Sequence, residues 1–224
     1  ADQSFLANGV PAFSTYPFLP EGHPDRKAWT GGCANAWWWH SSEDTLDKAD
    51  VDILTLDTKV SLSAITTLTN ASLLPLDPSA ASREILDYAT EFATQVGDHV
   101  ATEPFVTAAT ALHEATSAFI AHARSLDDAA AIDHANHVLM RSTRILMPAV
   151  YTKGGRFVHD PAEWSPIMRN TKTSVFPGLN PGLQLAELHG SDAYGFVRAG
   201  VVRHLNRIID ALLDATRLCN EATP

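Results

Sequence analysis

The chain has 224 residues, 45% of them apolar, and sets 16 Lys plus Arg against 26 Asp plus Glu for a formal net charge of −10. That length can bury one large core or two smaller ones of roughly 100–150 residues each. An acidic chain without a basic run speaks against nucleic acid and anionic membrane surfaces as partners, because phosphate binding needs a concentrated cationic face. No stretch reaches the roughly 18–20 consecutive apolar residues of a membrane span, so a soluble globular protein is expected. Two cysteines, Cys33 and Cys219, exclude a disulfide framework and a multi-cysteine zinc site, and leave a single long-range bridge open. No export signal is visible, and the compartment, cytoplasmic or secreted, stays open.

The opening ADQSFLANGVPAFS reads as a short helical turn, a break and an extended apolar piece from Val10 to Phe13. A lone strand leaves its backbone donors and acceptors unpaired, and no comparable strand follows. Its neighbours are therefore expected upstream. From Tyr16 to Asn35 the chain is rich in Pro, Gly and polar residues and reads as a long ordered loop. Then comes WWWHSSEDTLDKAD, after which Asp50 is the expected N-cap of a helix running to about Asn70, with Ile53, Leu56, Val60, Leu62, Ile65 and Leu68 at helical spacing. Prolines at 75 and 78 mark the expected domain boundary, with 75–79 as linker.

Beyond the boundary, residues 80–224 change character and become helical. Ser79 or Ser82 is the expected cap of a helix using Ile85, Ala89, Phe92 and Val96 and ended by Gly97. A second is expected over about Glu103–Ser125, with Phe105, Ala109, Leu112, Phe119 and Ile120 on one face. A third, about Asp127–Met147, uses Ile132, Ala135, Leu139, Ile145 and Leu146 and should stop at Pro148. A fourth, about Asp192–Cys219, puts Val197, Val201, Leu205, Ile208, Leu212 and Leu213 on its buried stripe. Four amphipathic helices predict a helical bundle, since each must hide its stripe against others. The insertion at 148–190 is a long loop of the kind that usually carries function.

His40 follows three tryptophans and precedes Glu43, Asp44 and Asp47. A neutral imidazole in such a partly dry setting is a good zinc ligand, and a nearby carboxylate can orient its second nitrogen. The same residues also fit a packed histidine with one hydrogen bond. His134 and His137 lie three apart in DHANH without a third ligand, His113 and His122 lie nine apart, and all four read as surface or packing residues. Ser41 and Ser42 lack a G-x-S-x-G elbow and read as turn-capping residues.

Two segments together carry a resemblance. Asp2-x-x-Phe5-x-x-x-Gly9-Val10-Pro11, followed by Trp39-His40-Ser41 and Asp44-Thr45-x-Asp47-Lys48, resembles metallopeptidase family twenty-eight, which includes zinc aminopeptidases, glutamate carboxypeptidase II and the catalytically silent transferrin receptor. The resemblance implies that residues 1–74 are the C-terminal piece of a zinc-peptidase α/β domain. It implies that 80–224, with Ser174-Val175-Phe176-Pro177-Gly178 before a long final helix, are a dimerisation-type helical domain. It further implies that His40 binds one of two zinc ions, that Asp2 and Trp39 line the substrate cleft, and that the remaining ligands and the glutamate base come from upstream sequence. A Lys-Tyr pair that reaches the substrate in some relatives is absent, leaving Asn170 and Lys172 as the polar candidates of that loop. The implied reaction is hydrolysis of a peptide or N-acyl amino acid, with a homodimer formed through the helical domain. The alternative is a non-catalytic binding or dimerisation module of the receptor-like kind.

Overall fold

The computed structural model describes residues 10, 38, 41–153 and 175–224. The chain divides into two compact units that part between Ala71 and Ser72. Among the described residues the secondary structure is helical apart from an isolated bridge at Thr152. The helical bundle is therefore present. The strand expected over Val10–Phe13 lies outside the described residues except for Val10, and no α/β fragment is seen among those described.

In the first-described unit, a short 3-10 turn at Leu46–Lys48 leads to α1, Val51–Asn70. Asp50 caps it as expected: its carboxylate accepts from the backbone N–H groups of Asp52 at 2.9 Å and Ile53 at 3.0 Å. The apolar residues of α1 do not form a covered stripe. Val51, Ile53, Leu54, Leu56, Val60, Leu62, Ile65 and Leu68 are all exposed.

The second unit holds the bundle: α2 (Pro78–Val96), α3 (Glu103–Ala123), α4 (Ala129–Tyr151), the four-residue α5 (Leu185–Leu188) and the thirty-residue α6 (Asp192–Glu221). The stripe of α2 is buried at Ile85, Ala89, Phe92 and Val96, and that of α6 at Val201, Leu205, Ile208, Leu212, Ala215 and Cys219. Leu213, expected on that stripe, is 48% exposed, because one residue beyond Leu212 the helix has turned about 100°. One core cluster gathers Phe92, Phe105, Leu112, Phe176, Leu179, Leu185 and the middle of α6. A second joins Phe119, Ile120, Val138, Leu139 and Cys219, with Leu73, Leu74 and Leu76 packed against it. Asn136 ties that leucine segment to α4, accepting from Leu74 N–H at 2.8 Å and donating to Ser72 carbonyl at 2.8 Å.

Three expectations are corrected. The cap of α2 is Asp77, whose carboxylate accepts from Ser79 and Ala80 N–H, with Pro78 at the first helical position, where a missing N–H costs nothing. Ser82 is instead fully buried, with Oγ 3.1 Å from His113 Nδ1 and 2.7 Å from Thr116 Oγ1. Arg83 approaches His113 Nε2 at 2.6 Å. A guanidinium only donates, so Nε2 accepts, and Nδ1 carries the ring proton toward Ser82. This chain of bonds joins α2 to α3.

Helix α4 also runs past Pro148 to Tyr151. A proline one turn from the end sacrifices a single ladder bond, and the burial of Ala149 and Val150 offsets it. Thr152 Oγ1 then donates to the Pro148 carbonyl at 2.6 Å.

Finally, the end of the expected loop is core. Phe176 is fully buried between Tyr88 (ring centres 5.0 Å) and Phe105 (5.6 Å), and a 3-10 stretch over Pro177–Gln184 follows. Phe176 has φ +51°, a left-handed conformation costing about 1–3 kcal/mol, a cost similar to the about 1.5–3 kcal/mol that burying its ring contributes. Loss of water around Tyr88 pushes its hydroxyl pKa up to about 12.

Two glycines separate contact from backbone preference. A Cβ at Gly178 would lie 2.6 Å from the His204 ring, whereas one at Gly200, inside α6, meets nothing within 4 Å. Gly178→Ala is expected to destabilise the fold by about 1–3 kcal/mol. Gly200→Ala is expected to stabilise it by about 0.5–1 kcal/mol. Chemical denaturation of both variants measures this, and a Gly178→Ala chain as stable as the parent would contradict the close packing of His204.

Candidate functional site

Asp2, Trp39, His40, Asn170 and Lys172 all lie outside the described residues. The turn that follows His40 is described. Ser41 Oγ donates to the Trp38 carbonyl at 2.6 Å and accepts from Glu43 N–H at 3.2 Å, the capping role expected of it. Backbone bonds Ser41 N to Trp38 O (3.0 Å), Asp44 N to Ser41 O (3.2 Å) and Thr45 N to Glu43 O (2.9 Å) wind the chain tightly here. Of the three carboxylates that could orient His40, Asp47 is engaged: the Lys48 ammonium and the Thr45 hydroxyl both bond to it. These two bonds hold the Asp47 carboxyl below its usual range, the lysine having the larger effect. Glu43 and Asp44 are exposed.

The remaining histidines divide by environment. His134 and His137 are exposed on α4, and His137 Nδ1 lies 2.9 Å from the Asp133 carbonyl of its own helix. His113 belongs to the polar chain between α2 and α3. Among the described residues no group of three or more His, Cys, Asp or Glu is arranged to hold a metal ion. Cys219 is a buried free thiol with Sγ 3.8 Å from Ser142 Oγ, and loss of water pushes its pKa up, which suits packing rather than nucleophilic work.

Two polar clusters escaped the sequence reading. At the C-terminal end of α4, Arg207 lays its guanidinium on Thr152, donating to its carbonyl at 2.6 Å and to its Oγ1 at 3.2 Å. His204, one turn earlier, is half-buried against Gly178. Burial above all, then the charges of Arg207, Arg203 and Lys153, hold its imidazole below the ordinary 6.5. Elsewhere in the bundle, His99, His189 and Tyr194 form a triangle of rings 5.2–5.8 Å apart. His204 and Arg207 are three apart on one helix, but their partners Gly178 and Thr152 are remote in sequence, and the ring triangle joins three separate segments, so spacing alone signalled neither cluster.

No family model, curated protein or solved structure matches the chain.

The depressed His204 pKa fixes the sign of a pH effect. The unfolded chain takes the proton first, so this residue's contribution to stability is fully present above about pH 6.5 and is lost as pH falls through the lower folded value. Urea titrations at pH 7.5 and at steps down to pH 5 should show the parent losing more stability than a His204→Gln chain. Parallel curves for the two would contradict the assignment.

Proposed function

We propose that the chain is the C-terminal section of a co-catalytic zinc exopeptidase, with His40 as one of its metal ligands. The observation that carries this reading is the paired motif: the turn and extended segment from Asp2 to Pro11, then Trp39-His40-Ser41 and Asp44-Thr45-x-Asp47-Lys48. Three features of the fold support it. The turn after His40 is tightly hydrogen-bonded from Trp38 onward, the kind of frame that holds a ligand ring in one orientation. A helical bundle then follows, as the motif's resemblance implies. The uncovered apolar residues of α1 fit a section whose α/β core is completed by other polypeptide.

In this reading, His40 supplies a neutral imidazole nitrogen to one of two zinc ions held mainly by upstream residues. When bound, the pair would supply Lewis-acid polarisation of the scissile carbonyl and activation of water. The chain's own residues position and enclose. The Ser41–Thr45 turn fixes the backbone beside the ligand, Asp2 and Trp39 border the cleft, and Asn170 and Lys172 contribute polar contacts to a peptide or N-acyl amino acid. A second copy pairs through the helical domain.

The reading frame upstream of Ala1 and the protein it encodes provide the test. The frame should contain an H-x-D pair, an E-E pair and a further Asp ligand, and the complete protein should hydrolyse aminoacyl or acyl-amino-acid substrates while residues 1–224 alone do not. The rival, a non-catalytic dimerisation module, predicts an upstream region without those ligands and a complete protein that turns over neither substrate. That outcome would overturn the proposal.

A further inference from the structure

The triangle formed by His99, His189 and Tyr194 is built from three places distant in sequence. His99 ends the 3-10 turn Gly97–His99 after α2, His189 follows α5, and Tyr194 lies in the first turn of α6. Its backbone is fixed on both sides. Arg198 Nε donates to the His99 carbonyl at 2.9 Å. Ser191 bonds through N–H (2.9 Å) and Oγ (2.7 Å) to the Leu188 carbonyl. Gly190, at φ +87°, takes the left-handed conformation that this turn requires and that side-chain-bearing residues avoid. The imidazole of His99 is half-buried and that of His189 is open to solvent, so a small ion can reach both.

The separation of the His99 and His189 rings suits a shared ion. An ion about 2.0–2.1 Å from one nitrogen of each of two imidazoles, at a tetrahedral angle, sets the ring centres roughly 5 Å apart. The His99 and His189 centres are 5.7 Å apart, with ring planes inclined at 56°. An adjustment of less than about an ångström at the exposed His189 ring closes the difference, a motion that exposed side chains make readily. The hydroxyl of Tyr194 lies 3.1 Å from His99 Nδ1. With the Nδ1 proton donated to that oxygen, His99 keeps its Nε2 lone pair for a metal, the arrangement by which outer groups orient ligating histidines. Among the described residues, the His189 ring meets the rings of His99 and Tyr194 without a side-chain hydrogen bond.

We propose that His99 and His189 together bind one exchangeable divalent ion of the imidazole-preferring kind, Cu2+ or Zn2+, with Tyr194 as a positioning residue. Two protein ligands leave the other coordination positions to water. The site therefore takes up and releases its ion, unlike a closed four-ligand structural site. It lies on the helical bundle and shares no residue with the His40 motif. Its success or failure is thus independent of the peptidase reading.

Substoichiometric Cu2+ added to the full 224-residue chain, followed by the histidine ring Cε1–H resonances, tests this. Paramagnetic broadening should strike His99 and His189 first, ahead of His134 and His137. His189→Ala, a change at an exposed position, should spare His99 from broadening at the same copper level. Tyr194→Phe should retain the fold by circular dichroism and weaken binding about 10-fold to 100-fold. Broadening that begins at His134 and His137, or that spreads over all histidines equally, would overturn the proposal. So would a His189→Ala chain in which His99 broadens as before.

Discussion

The bundle depends on one constraint: α6 is about 45 Å long and must hide a single apolar stripe along most of it. Val201, Leu205, Ile208, Leu212, Ala215 and Cys219 recur every three or four residues, so they face one direction. Each buried aliphatic side chain contributes about 1.5–3 kcal/mol, against about 0–1 kcal/mol for an ordinary surface ion pair. Helices α3 and α4 and the 3-10 stretch Pro177–Gln184 all pack on α6. Its middle belongs to one core cluster and its end, through Cys219, to the other. Without α6 the remaining helices would have no common wall.

That same helix places the polar groups. Its buried stripe sets which residues turn sideways, and His204 and Arg207 are three apart on the flank that meets the end of α4 and Gly178. The segment 175–190 then closes the other side. Phe176 anchors it in the core despite an unfavourable backbone conformation, and the chain leaves that anchor through α5 to bring His189 beside His99. The core and the polar clusters thus share a cause: the burial of Phe176, Leu179 and Leu185 fixes where the flanking histidines stand.

The helical half of the fold was legible because its signal is periodic and local. Ile85, Ala89, Phe92 and Val96, or Phe105, Ala109 and Leu112, can be read as faces without knowing what covers them, and they are buried. Asp50 was legible as a cap for the same reason: its carboxylate reaches N–H groups two and three residues on. Where several local signals competed, the outcome was decided elsewhere. Ser79, Ser82 and Asp77 are all competent caps, and Ser82 was drawn into the α2–α3 interface because His113 and Thr116 wait there. Pro148 reads as a helix stop, yet burial of the next two residues carries α4 past it. The segment 175–188 looks like loop because its prolines and glycines suit a 3-10 course, and only its long-range packing makes it core.

The candidate metal ligand is legible in a different sense. His40 stands in a motif, not a period, and a motif states a chemistry without building the site around it. The turn after it has the expected bonds at Ser41, while Asp47 serves Lys48 and Thr45 instead of standing free as a partner for the ring. The most direct measurement is the zinc content of the complete protein carrying His40→Ala, determined by mass spectrometry beside the parent after identical purification. The account predicts about two zinc ions per parent chain and a loss of at least one in the variant, with the helical bundle still folded. A variant that retains the parent's zinc would contradict it.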